Sequence, residues 1–443
     1  MNKYRFYTLI SVLAICLGCV PPAVESGNTE QETKVEVKKN ASTISPELKA
    51  QAIARIQEVQ GTFVEKDGAI VEVDLMNKSF DPKDVELVAQ LSDVVKLSLS
   101  SPSVTDENFK ALAKMPKLQN LQLLNAGISD VGLACIPEFS ELKVLNLRGC
   151  ASISDAGMAD VAKAPKLVNL SLLYTKITDE GVIALKDMKL RALDLRGLML
   201  SGSSCLALAN MTTLESLKFR NARDITDDTF AELKTLVNLT SLSLEDLTIT
   251  DMAIETLPSM PKLKELVIMR TDLMDVSPIK ELKKLKKLTL REMTADLDFL
   301  AEMPQIEQLF LAESIVRDKD MPFFKDLKEI NTLDLWNTQL GDAALELFGT
   351  MPKLKTLNIK NCAKITDAGI ALLAKSSSLE SLDLSENGKA TGDDSAPLFT
   401  DKSLESLKGC KTLKTLNLTL CPSLSENAIA DFCQARPEVK VIK

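Results

Sequence analysis

Nine cysteines, sixty-two aspartates and glutamates, one tryptophan and no histidine define the chemistry these 443 residues can offer. Without histidine, imidazole acid–base catalysis, histidine triads and histidine metal sites all fall away. No nucleophile elbow, phosphate-cradling glycine loop or dinucleotide fingerprint occurs. Carboxylates are numerous enough for a glycoside-cleaving pair, but no spacing singles one out. The stretch Gly388–Pro397 places Asp393 and Asp394 beside Gly392, yet lacks the alternating oxygen ligands of a calcium loop. Cys16 and Cys19 form a Cys-x-x-Cys pair only inside an apolar leader. No such pair recurs, which argues against zinc. The expectation is a protein with no catalytic residue, no cofactor and no metal.

The leader has its own logic. Lys3 and Arg5 give a basic start, Phe6–Leu17 is an apolar run, and Leu17-Gly18-Cys19 closes it. The run is short of the ~20 residues that span a bilayer, so it reads as an export signal. Its end resembles the lipobox of bacterial lipoproteins, with Cys16 where that family has leucine. The resemblance implies lipidation of Cys19. Simple secretion and an ordinary N-terminal helix are the other readings. Residues 20–44, with Pro21-Pro22 and many Glu, Lys, Ser and Thr, have no periodic apolar face and read as a disordered tether. Residues 45–69 hold one helix, Pro46–Gln60, and a short strand around Thr62–Glu65, and read as an N-terminal cap.

From residue 70 on, one phrase repeats. Leu-x-x-Leu-x-Leu starts at Leu118, Leu142, Leu167, Leu190, Leu214, Leu239, Leu263, Leu285, Ile306, Ile330, Leu354, Leu379 and Leu413, with weaker copies at Ile70 and Val94 and a stub at residues 439–443. Within it the period is two, which means a strand with one buried face. The ninth position is a small side chain (Cys150, Thr175, Ala222, Thr271, Thr338, Cys362, Cys421), fit for the inside of a turn. Ile177-Thr-Asp179-Glu-Gly181 and Ile365-Thr-Asp367-Ala-Gly369 then read as a core contact, a helix N-cap and a glycine that leaves room. Val182, Leu185 and Met188 follow at helical spacing.

A period of 20–29 residues with this pattern is the leucine-rich-repeat signature. The phrases resemble the cysteine-containing, Ile-Thr-Asp-x-Gly subtype, found in bacterial envelope proteins and in F-box substrate receptors. The implied fold is an α/β solenoid: a horseshoe of about 15 repeats over residues 70–443, with a parallel concave sheet and short convex helices. No F-box module fits before Ile70. In the two shortest repeats, 263–284 and 285–305, Asp275-Val-Ser-Pro278 replaces the usual turn, so the helix there is expected to shrink.

The resemblance implies a concave binding face, and the alternation says which residues line it. Trp336 and Phe310 fall there, with Val267, Met269, Arg291 and Lys360 nearby. This is the composition of a binding hot spot. Arg148, Arg196, Lys218 and Arg220 form a basic run suited to steering an acidic partner. A net charge of −9 argues against a nucleic-acid footprint, though not against a local basic stripe. The leading expectation is an exported, lipid-anchored, monomeric, non-catalytic protein of the bacterial envelope that binds a protein partner on this face. A glycan- or cell-wall-binding module, an intracellular F-box-like adaptor and a carboxylate hydrolase are the alternatives.

Overall fold

The computed structural model describes residues 44–388 and 399–443. Cys19, the leader, nearly all of the 20–44 tether and all but Gly388 of the 388–397 loop lie outside the described residues.

Period-two alternation does what it should. On Glu265–Met269, Leu266 and Ile268 are buried while Glu265, Val267 and Met269 face outward. Leu242, Leu266, Leu288 and Leu309 stand in register on four successive strands, so each leucine packs against its counterpart one rung away. At the N-terminal end, β1 (Thr62–Lys66) and β2 (Ala69–Leu75) form an antiparallel hairpin. From β2 to the last strand, Lys440–Ile442, every strand pairs in parallel with its sequence neighbour. Helix α1 (Pro46–Glu58) closes the open end, burying Ala52 and Ile56. The result is a leucine-rich-repeat solenoid with one continuous aliphatic core.

Two periodic devices hold the rungs. The first follows each strand, where the chain turns through positive φ. Asn125, Asn221, Asn337 and Asn361 do this at 51° to 62°. Asparagine tolerates the left-handed region, but Tyr174 (58°) and Arg270 (51°) adopt it as well.

The second explains the Thr-Asp-x-Gly phrase. The threonine is the helix N-cap, but the aspartate serves the next rung. Asp155 accepts from the Thr178 amide at 2.8 Å, the Thr178 hydroxyl at 2.6 Å and the Gly181 amide at 3.0 Å. Asp106 holds Ser129, Asp130 holds Ser154, Asp342 holds Thr366 and Asp401 holds Ser425 in the same way. The glycine gives the carboxylate its space. A Cβ at Gly181 would collide with Asp155 Oδ1, and one at Gly369 with Asp342 Oδ1. Where serine stands instead, its hydroxyl joins the bond: Ser403 donates to Asp367 at 2.6 Å, and Ser204 to Asp179. Burial pushes the Asp179 and Asp367 carboxyls up, but these hydroxyl and amide donors outweigh it and hold both below the usual range.

The ladder thins in the middle of the chain, where Asp251 accepts only the Met274 amide and Asp318 only the Gly341 amide. Three successive convex segments, Ser277–Glu281, Asp298–Glu302 and Asp318–Phe324, are 3-10 helices. The first two lie in the short repeats where a reduced helix was expected. The third, with Pro322 inside it, extends the irregular stretch by one rung.

The turn residues behave as small core groups. Cys150, Ala222, Thr271, Thr338, Cys362 and Cys421 are buried, and Thr175 is half-buried. Burial pushes the thiols of Cys135 and Cys150 up to about 11 and that of Cys205 to about 12. They stay protonated at neutral pH and are poor nucleophiles. No disulfide and no metal-holding group occurs among the described residues.

Candidate functional site

Outward positions on the parallel strands form two columns along the concave face. One runs through Val267, Thr289, Phe310, Asp334, Asn358 and Asp383, paired in register. The other runs through Met269, Arg291, Ala312, Trp336 and Lys360. Trp336 and Phe310 therefore sit one rung apart and two residues out of step.

Both aromatics are half-buried rather than open. The indole of Trp336 has Arg291 Cζ at 5.5 Å and Lys360 Nζ at 5.1 Å from the ring centre. These cations come from opposite directions along the column, and each adds a cation–π attraction. Ala312, between Arg291 and Trp336, has no exposed surface although its position points outward. Its methyl is too short to keep the long neighbours apart, so they close over it. Lys287 lies 5.7 Å from the Phe310 ring. Val267 and Met269 are half-buried two rungs earlier.

The left-handed residues now acquire a role. Arg291 donates to Glu313 at 2.9 Å, and Lys360 reaches Glu386 at 2.8 Å. Each cation on the aromatic is thus anchored by an acid from the following rung's turn. Two donors are left over. Trp336 Nε1 and Arg291 Nε are both buried with no acceptor among the described residues. An orphaned buried donor costs about 1–3 kcal/mol. Beneath them, Asp334 accepts from the Trp336 amide at 3.3 Å, and burial pushes its carboxyl up.

The second group of predicted residues is arranged differently. Arg196 makes a two-pronged contact with Asp194, at 2.9 and 2.8 Å. Arg220 donates to Asp246 at 3.0 Å, and Arg270 binds the same carboxylate at 2.6 Å. Glu245, buried, lies within 4 Å of all three arginines. Arg270 beside it holds Asp246 well below the usual carboxylate range. Two of the four predicted cations are therefore absorbed in an internal network. Arg148 and Lys218 have no ion pair among the described residues. Of the acids that do the absorbing, Asp194, Glu245 and Asp246, the last two are adjacent at a strand end, a signal legible only once the left-handed position is known.

Comparison with known proteins agrees with the architecture. The profile of the family described as "Leucine Rich repeat" matches residues 141–162 and 350–374. A leucine-rich-repeat protein of Leptospira interrogans is 17% identical, with a TM-score of 0.50 over 81% of this chain and 92% of that one. The Rad7 and Elc1 complex of yeast gives 20% identity and a TM-score of 0.49, over 82% of this chain and 92% of that one. An internalin from Listeria monocytogenes gives 19% and 0.46, over 74% and 94%. The Leptospira likeness shows fold alone. No curated protein matches the sequence.

Proposed function

We propose that this protein is an exported, lipid-anchored, non-catalytic receptor-like scaffold that holds a protein partner on its concave face around Phe310 and Trp336. The observation that carries the binding reading is the tryptophan itself. It is the chain's one tryptophan, it stands on the inner face, and two cations and an orphaned N–H surround it. Tryptophan and arginine dominate binding energetics where they cluster. The N–H gains an acceptor only if something brings one.

The same geometry weighs against a glycan. Sugars stack on a free aromatic face, and Arg291 and Lys360 already occupy the space over this ring. Export and anchoring rest on Lys3, Arg5, the apolar run and Cys19. Neutral buried thiols and the lack of histidine support a non-catalytic reading.

Two experiments test this. The chain from residue 20, immobilised, is exposed to envelope extract beside its Trp336→Ala variant. A protein retained by the first and lost by the second, at equal melting temperature, supports the reading, and equal retention removes the site. Separately, the mature N-terminus is weighed by mass spectrometry. An acylated Cys19 supports the anchor, and an intact Met1 refutes it.

A further inference from the structure

Net charge hides how charge is distributed across the solenoid. Every parallel strand begins on one lateral edge of the sheet and ends on the other. In the five residues that precede each strand from Lys96–Ser100 onward stand sixteen lysines and arginines against eight acids. The whole chain has 53 against 62. The opposite edge is the acidic one. It carries the ladder aspartates at the helix starts and the turn acids Asp246, Glu292 and Glu313.

On the basic edge seven of the eight acids are already paired, and Asp187 has no ion pair among the described residues. Glu141 binds Lys166, Glu215 binds Arg191, Glu307 binds Lys286 and Glu329 binds Lys353. The surplus has no carboxylate partner among the described residues, although Lys143 donates to the Gln119 side chain at 3.1 Å and Lys262 to that of Asn238 at 2.7 Å. Lys143, Lys262, Lys264, Lys284 and Lys411 are exposed, and none reaches a carboxylate among the described residues. Strand spacing of about 4.8 Å makes this edge a line of roughly 70 Å over fifteen rungs.

The chain also enters on this edge. Lys49, one turn into α1, donates to the Gly68 carbonyl at 2.7 Å. Gly68 belongs to the hairpin turn that leads into β2, so it marks the side where strands begin. Ile44 and Ser45, the start of the described chain, lie at that end of α1. The described chain therefore starts at the basic rim.

We infer that the strand-start edge docks on an anionic phospholipid bilayer, so that the anchored solenoid stands on its rim with the concave face turned sideways and open. The choice of a bilayer over another polyanion rests on the exported, anchored reading above. The rim itself is independent of it. Each lysine near an anionic surface adds attraction that fades within a Debye length, about 10 Å at 0.1 M salt.

The test uses the chain from residue 20, without acyl groups, so that lipidation plays no part. The core among the described residues begins at Ala52, with Ile44 packed against it, and circular dichroism checks folding. Vesicles of phosphatidylcholine with about a quarter phosphatidylglycerol should retain the protein, and pure phosphatidylcholine should not. Replacing Lys264→Glu, Lys284→Glu and Lys411→Glu together should weaken retention about a hundredfold. The matched set Lys176→Glu, Arg223→Glu and Lys364→Glu, on the other edge, changes net charge equally and should leave retention within about twofold. Equal retention on both vesicle types, or equal loss in both variants, overturns the inference. Binding to duplex DNA without vesicle binding also overturns it and makes the rim a nucleic-acid surface. If the rim binds vesicles but Cys19 proves unmodified, the anchor fails and the rim stands.

Discussion

The rungs that carry Thr-Asp-x-Gly and the rungs between residues 271 and 330 solve the same packing problem by different means. In the first, a carboxylate from each helix start grips the next rung through two or three hydrogen bonds. In the second, 3-10 segments replace the helices and the convex contacts thin to single bonds, Lys280 to Glu302 and the Gly341 amide to Asp318. Strand-end pairs reinforce them, through Arg270–Glu292, Arg291–Glu313 and the cations beside Trp336. Phe310 stands on the strand of the last of these rungs, with Trp336 on the one that follows. The lesson is that a rung with a thinned convex ladder leans more on its concave side, where the groups proposed to meet a partner also hold it.

The sharpest way to break that contrast is to remove a ladder carboxylate. Asp367 takes bonds from the Thr400 amide, the Thr400 hydroxyl and the Ser403 hydroxyl, at 2.6–2.8 Å. Asp367→Ala should cost about 2–3 kcal/mol in urea titration, since hydrogen bonds to a charge are the strong kind. Asp275, where the ladder thins, caps only its own turn at Ser277. Asp275→Ala should cost no more than about 0.5 kcal/mol. Equal losses would mean that the ladder is ornament.

The glycine provides a second handle. Gly369→Ala drives a methyl into Asp342 and Leu345. The expected loss is about 1–3 kcal/mol, in the range for overpacking. Shortening the carboxylate in the same chain, by Asp342→Ala, should abolish the steric part of that loss. Simple additivity of the two changes would contradict the proposed role of the glycine.

Acidity separates the ladder aspartates from Asp334 by sign. Asp179 and Asp367 are held low, so their contribution is complete above the unfolded value of about 4 and is lost as pH falls through their folded values. Asp334 is pushed up, so it binds its proton more tightly in the folded state, and its cost appears as pH rises from about 4 through the folded value. Asp334→Asn should therefore raise the melting temperature at pH 7 and lose that advantage in acid. A gain that grows on acidification would reverse the assignment.

The smallest effect concerns the orphaned indole N–H. Trp336→Phe keeps a ring between Arg291 and Lys360 and deletes a donor that has no acceptor. Stability should be unchanged or up by about 1 kcal/mol. A clear loss would mean that the N–H is satisfied in solution.

Much of the fold was legible because period-two leucines and a period near 24 residues admit few structures. The register of Leu242, Leu266 and Leu288 could have been written from spacing alone. The ladder was half legible. Thr178 reads locally as a cap, but the true partner of Asp179 is Ser201 in the next rung, which no local pattern reveals. At the site, alternation placed Phe310 and Trp336 on the right face. It could not show that Ala312 lets Trp336 and Arg291 close over it, because exposure depends on the length of neighbours two dozen residues away. The basic run misled for the same reason. Arg196 and Arg220 face outward, yet Asp194, Glu245 and Asp246 neutralise them across rungs.

Titration calorimetry with the captured partner tests the concave-face assignment most directly. Trp336→Ala should weaken the Kd by about thirtyfold, as expected for a hot spot worth about 2 kcal/mol, at an unchanged melting temperature. An unchanged Kd with that variant would contradict it.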